Sequence, residues 1–150
     1  MRVMALDVGD KTIGVAVSDP LLVTAQGVGV IERVGIRKDA DKVIALAEER
    51  ECATILVGLP KKLDGSNSIQ TDKVEEFKSM LENKLRSNAK THICVLFHDE
   101  RFTTVLAERV LIEANVSRKK RKTVIDKQAA VVILQSYLDE QRNAQGGGTL

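Results

Sequence analysis

Tryptophan is absent from this sequence, aromatics make up only 3%, and there are just two cysteines and two prolines. So few aromatic rings argue against a binding surface that stacks single-stranded bases. They also leave the core to Val, Ile, Leu and Ala. Cys52 and Cys94 are lone thiols in apolar surroundings, not a spaced ligand set, and are expected to pack in the interior of a protein kept reduced. No stretch approaches the ~20 apolar residues that cross a bilayer. The first residues run straight into a strand pattern, without the basic flank, apolar segment and cleavage site of an export signal.

What is present suits one globular domain. The chain has 150 residues, 43% hydrophobic and 29% charged, enough to bury a real core and too apolar to be disordered. Net charge is +2, unevenly spread. "SRKKRK" contains five consecutive bases, Arg118, Lys119, Lys120, Arg121 and Lys122; without them the rest holds 18 basic against 21 acidic residues, a net −3. On charge alone such a run reads first as a solvated loop, and the sharper reading is a phosphate contact.

"RVMALDV" and "KTIGVAVS" are two strand patterns joined by "GDK", a tight hairpin signal. "VTAQGVGVIERV" reads as a third strand, with Gly27 and Gly29 marking a bulge or a close approach. "KDADKVIALAEERE" has helical spacing with Asp39 as its expected N-cap. "ATILVGLP" is a continuous apolar run of the kind buried on both faces, and "KKLDGSNSIQ" is a polar loop. Val74, Phe77, Leu81 and Leu85 form one stripe of a helix. "THICVLFHDE" is apolar on both alternating sets and reads as a further central strand. A helix capped by Thr103 or Thr104 runs to Glu113, then the basic loop, then a last helix from about Asp126 to Asp139. The domain is expected over 1–142, with 143–150 as a frayed glycine-rich tail.

The order βββ-α-β-α-β-α-α predicts an α/β fold: a mixed five-stranded sheet, an antiparallel meander plus parallel strands, with helices on both faces. Sites in such sheets gather at the carboxyl ends of parallel strands. The same order is that of ribonuclease H-like domains, which is an analogy of fold only.

Acids stand at three element ends. Asp7 closes the first strand, and Asp99 and Glu100 close the last. Asp126 opens the final helix, on a stripe with Ala129, Ala130, Ile133 and Tyr137 that should face the sheet. Singly, each is explained as a turn residue, a strand exit or a helix-dipole partner. Together they would repel unless cations neutralise them, and an all-oxygen cluster suits Mg²⁺ or Mn²⁺ rather than Zn²⁺. Two such ions can clamp the water and leaving oxygen of a phosphodiester. Alternation puts Asp99 and Glu100 on opposite faces, so one of the two should reach the site; the pattern does not say which.

Four stretches in register, "ALDVGDKTIGVAVSDP", "ILVGLPKKLDGSNSIQT", "HDERFTTVLAERVL" and "RKKRKTVIDKQAAVVILQSYL", resemble the YqgF/RuvX family over nearly the whole chain. The resemblance implies a ribonuclease H-like fold, a cytoplasmic bacterial protein and a metal-dependent nuclease. The substrate implied is the 5′ end of pre-16S ribosomal RNA or, alternatively, a Holliday junction in branched DNA. Position by position it implies Asp7, Glu100 and Asp126 as catalytic and metal-holding residues. Thr12 stands where many relatives have arginine, which touches substrate contact rather than metal binding.

Lys11, Lys61, Lys62, Arg101 and the run Arg118–Lys122 are the expected nucleic-acid contacts, the run as a basic flap beside Asp126. Arg101 equally suits an ion pair with a neighbouring acid. Ser66, Ser68 and Gln70 suit capping of the helix that follows, substrate contact, or both. His98 reads as a packed or solvent-facing strand residue rather than a base. Two other readings compete: a factor that binds nucleic acid without cutting, and a sugar-kinase or actin-like ATPase. The second needs two such domains. The pattern is compatible with a monomer or a homodimer.

Overall fold

The computed structural model describes residues 1–60, 66, 68–99 and 118–147; for 118–127 and 145–147 it gives the helix backbone alone. β1 (Arg2–Val8) and β2 (Thr12–Ser18) pair as the expected hairpin, and β3 (Ala25–Glu32) adds antiparallel to β2. α1 (Ile36–Glu49) crosses to β4 (Cys52–Leu59), and α2 (Ile69–Ser87) crosses to β5 (Cys94–Asp99). Both crossovers return parallel strands, and the sheet order is β3-β2-β1-β4-β5. β1 is therefore the central strand. The meander, the parallel pairs and the five-stranded sheet are as the sequence predicts.

Alternation along the strands makes two packing layers. Met4, Leu6, Val8, Ile13, Val15, Ile55 and Val57 face α1 and α2, where the predicted stripe Val74, Phe77, Leu81 and Leu85 is buried. Val3, Ala5, Ala16 and Leu56 face the opposite way, onto Ala129, Ala130, Ile133, Leu134 and Leu138 of α3 (Arg118–Gly147). The bulge falls where Gly27 and Gly29 suggested. Val15 pairs with Gly29 and Ala16 with Gly27, so Val28 is the extra residue. Gly29 has φ +151°, a backbone conformation that favours glycine.

Four local expectations are corrected. Asp39 is not the N-cap of α1; Gly35 is, and Asp39 lies inside the first turn, fully buried. Its carboxylate reaches back to the N–H groups of Val34 (3.0 Å) and Gly35 (3.4 Å), just ahead of the helix. β5 stands at the end of the strand order rather than in its interior, and Leu96 and Phe97 on it are exposed by more than a third. Cys94, at its start, is accordingly exposed, while Cys52 is buried as expected. Finally, α3 begins at Arg118 and continues to Gly147, past both expected bounds, so the basic run forms helix instead of a loop. Lys and Arg are good helix formers, and the first glycine on the C-terminal side is Gly146. The helix expected after Thr103 lies outside the described residues.

Candidate functional site

β1 carries Val3, Ala5 and Asp7 on the α3 face, so its final carboxylate projects on that side at the carboxyl end of the central strand. Asp7 is partly buried. Its neighbours across the sheet are unusual. On β2 its partner is Gly14, and on β4 the register Leu6 to Val57 places Gly58 beside it. Neither neighbour has a β-carbon to crowd the carboxylate, and glycine inside a strand commonly marks a close approach by a ligand or another backbone. Beyond Gly58 the row continues to His98 on β5.

His98 is buried as a packed strand residue, one of the two placements the sequence suggested. Its Nε2 lies 3.4 Å from Ser136 Oγ, and its ring meets Tyr137 edge-on at 6.2 Å. Asp99 pairs with Leu59 and so falls on the α1–α2 face, opposite Asp7. That register removes Asp99 from the face where Asp7 projects.

The other predicted residues are unevenly described. Glu100, Arg101, Lys61 and Lys62 lie outside the described residues. Asp126 lies on the α3 backbone, in the turn before Ala129 and Ala130, and its side chain is outside the description. The C-terminal half of α3 lies beside the start of the sheet, where Tyr137, Leu138 and Arg142 line a cleft with Met1, Val3 and Ala53. Asp126 is thus at the far end of the packed stretch from that margin. Arg118–Lys122 occupy the opening turns of the same helix. Lys11 is exposed in the β1–β2 turn.

The turn after Asp7 is closed by Gly9 N–H donating to the Thr12 carbonyl at 2.9 Å. A β-carbon on Gly9 would stand 3.0 Å from that same oxygen, so only glycine fits comfortably. Gln70 Nε2 donates to the Val8 carbonyl (3.1 Å), and Arg33 Nη1 donates to the Gly9 carbonyl (2.9 Å). Ser68, not Gln70, caps α2: its Oγ accepts from Thr71 N–H while the Thr71 hydroxyl accepts from Ser68 N–H. The contacts of Arg33 join residues 24 positions apart, a signal that no local pattern carries.

A second strand-end acid is placed differently. Asp19, after β2, accepts from the N–H groups of Leu21 (3.2 Å), Val23 (2.8 Å) and Thr24 (2.8 Å). Those bonds, led by Thr24 and partly offset by desolvation, hold its carboxyl below the usual range. Asp19 organises a loop. Asp7, on the glycine-flanked row, sits where a site would be.

A family model described as "RuvX: Holliday junction resolvase" matches residues 1–140. The chain belongs to the RuvX family. A relative from Clostridioides difficile, named "Putative pre-16S rRNA nuclease", is 52% identical over 143 residues, covering 95% of this chain and 97% of that protein. Relatives of the same name from Desulforamulus reducens (52% identical; 93% of this chain, 97% of theirs) and Halothermothrix orenii (48%; 97% and 100%) agree. Among solved structures, Thermus thermophilus RuvC in complex with a Holliday junction substrate matches with TM-score 0.57 at 11% identity, over 94% of this chain and 96% of that one. The fowlpox virus Holliday junction resolvase matches at TM-score 0.55 and 12% identity, over 94% and 99%. At such identities these two establish a RuvC-like ribonuclease H fold and nothing more. The RuvX membership and the relatives' names make this chain a nuclease, and nucleic acid its ligand. Among the described residues no helix is long and apolar enough to cross a membrane.

Proposed function

We propose that this nuclease hydrolyses phosphodiester bonds in structured RNA, at the 5′ end of the pre-16S ribosomal RNA precursor, with Asp7, Glu100 and Asp126 as its catalytic acids. The observation that carries the proposal is the position of Asp7: the last carboxylate of the central strand, on the α3 face, between two glycines. Glu100 follows Asp99, and the register puts Asp99 on the other face, which favours Glu100 as the second acid. Asp126 is supplied by the helix that covers the Asp7 face.

The donor chemistry fits a hard divalent cation. Three carboxylates offer only oxygen ligands, the set that Mg²⁺ or Mn²⁺ prefers. Among the described residues no three His, Cys, Asp or Glu side chains gather, so Asp7 is the described member of that set. When bound, the cation offsets carboxylate repulsion and stabilises charge developing on the phosphate. The chain's own part is to fix Asp7 on a rigid central strand. It also draws the backbone of the nucleic acid to α3.

Five consecutive bases at the start of α3 oppose that helix's positive end, and no acid stands in its first turn to relieve them. A local conflict of this sort is often found where a ligand resolves it. Phosphates of a duplex would do so, since helix N-terminal amides and Lys or Arg charge attract the same anion. Lys11, Lys61, Lys62 and Arg101 are proposed as further backbone contacts.

The description of the family favours a second reading, a resolvase for four-way DNA junctions. One experiment tests both: incubate the protein with an RNA carrying the precursor 5′ end and with a DNA junction, each with Mg²⁺ and with EDTA. Cleavage of the RNA alone, abolished by EDTA, is expected. Cutting of the junction alone overturns the RNA proposal. Binding of either without cutting, in every metal, overturns the catalytic one and leaves a binding factor.

A further inference from the structure

We infer that Arg33 is a positioning residue for the cleavage proposed above, acting through the β1–β2 turn that holds Asp7; the inference rests on that reading of the site. The turn, residues Val8 to Lys11, begins at the residue after Asp7, so any freedom in it is passed directly to the carboxylate. Beyond the hairpin's own bonds, Lys73, Gln70 and Arg33 of the described residues reach it. Lys73 pairs with Asp10 at 3.0 Å, but both are at least half exposed, and such pairs contribute little. Gln70 holds the Val8 carbonyl through one neutral bond. Arg33 is tied far more firmly.

The Arg33 side chain is 18% exposed and reaches three elements at once. Nη1 donates to the Gly9 carbonyl at 2.9 Å, Nε donates to Asp39 Oδ2 at 3.0 Å, and the guanidinium lies 5.4 Å from the centre of the buried Phe77 ring of α2. Its own backbone N–H donates to the Lys11 carbonyl at 2.9 Å, so Arg33 holds the turn from main chain and side chain together. Asp39 is itself immobilised, fully buried and bound to the amides of Val34 and Gly35 at the start of α1. A buried charged pair is a costly way to join elements that apolar packing could join. What it adds is direction: the planar fork fixes one carbonyl at one angle, as a lysine or an apolar side chain cannot. The carbonyl so fixed lies two residues from Asp7.

The test compares R33M, R33K and V43A, the last removing methyl groups from the buried face of α1 without touching the turn. Three quantities are read: Mn²⁺ affinity by titration calorimetry, amide exchange of residues 9–12, and kcat and KM on the precursor RNA. R33M is expected to weaken Mn²⁺ binding and lower kcat by about 10–100-fold each, the usual effect of losing support for a site. KM should stay unchanged, and exchange in the turn should quicken. R33K should recover part of the loss. V43A should lower the melting temperature while leaving affinity and kcat intact. If R33M behaves as V43A does, Arg33 is structural only and the inference is overturned. If the wild type neither binds Mn²⁺ nor cuts RNA, the metal-dependent RNA cleavage proposed above fails, and exchange then decides the turn: unchanged rates in R33M overturn the inference as well, faster rates uphold Arg33 as the residue that sets the turn.

Discussion

Along β1, β2 and β4, the face toward α1 and α2 carries Met4, Leu6, Ile13, Val15, Ile55 and Val57, whereas the face toward α3 carries Val3 and Leu56 together with Ala5, Asp7, Gly14, Ala16 and Gly58. The same strands thus present large apolar side chains all along one side, and to the other a face where Val3 and Leu56 alternate with small residues and an acid. Two helices cover the first face and one described helix covers the second. Hydrophobic stabilisation is roughly proportional to apolar area buried, and among the described residues the larger buried cluster lies on the α1–α2 side. The α3 side holds the smaller described cluster and carries a charge at its margin. One layer keeps the sheet rigid so that the other can act.

If that division is right, changes on the two faces should fail in different assays. Replacing Asp7 with Asn should reduce cleavage by roughly 10³-fold or more while the thermal unfolding curve hardly moves. Near-normal turnover in that variant would place the chemistry elsewhere. On the opposite face, truncating Leu81 to Ala should cost about 2–5 kcal/mol, read by urea denaturation, because this fully buried side chain leaves a cavity. Any activity that survives in the folded fraction should have an unaltered metal requirement.

A finer probe is Gly14→Val. Valine suits a strand, so the fold should hold, yet its branched side chain would stand beside Asp7. Cleavage should fall by about 10²-fold, the loss typical of displacing a reacting group by an ångström. An enzyme indifferent to this change would show that the glycine flank is incidental.

The smallest effect concerns acid. Burial alone would raise the Asp39 carboxyl, but bonds from Val34, Arg33 and Gly35 outweigh it, and the group titrates below its ordinary value of 3.8. Its ionised form therefore stabilises the fold fully above that value, and the contribution drains away as pH falls through the lowered one. Asp39→Asn should flatten the decline of the melting temperature below pH ~4 and leave the curve near neutrality lower but parallel. An unchanged acid limb would mean that Asp39 carries no such coupling.

Period-governed features were legible before any coordinates. The stripe Val74, Phe77, Leu81, Leu85 reads as a helix because no other repeat fits it, and the hairpin follows from two alternating runs around "GDK". Gly27 and Gly29 gave the bulge because glycine is rare inside a strand without cause. Pairwise properties were hidden. That Gly14 and Gly58 flank Asp7 is a matter of register, which neither glycine announces alone. The reach of Arg33 to Gly9 is likewise tertiary, and so is the edge position of β5 that exposes Cys94. Asp39 carries the right residue type for a cap and stands four residues past Gly35, the true one. The basic run misled because its composition fits a solvated loop and a helix equally well.

The extra residue at Val28 has an effect beyond local geometry. An outermost ribbon with evenly spaced amides and carbonyls invites a second molecule to pair with it. On β3 the inserted residue and the unusual torsion of Gly29 break that spacing midway, so a foreign ribbon could engage only a few residues before losing step. Along that border, concentrated molecules should slide past one another rather than zip together.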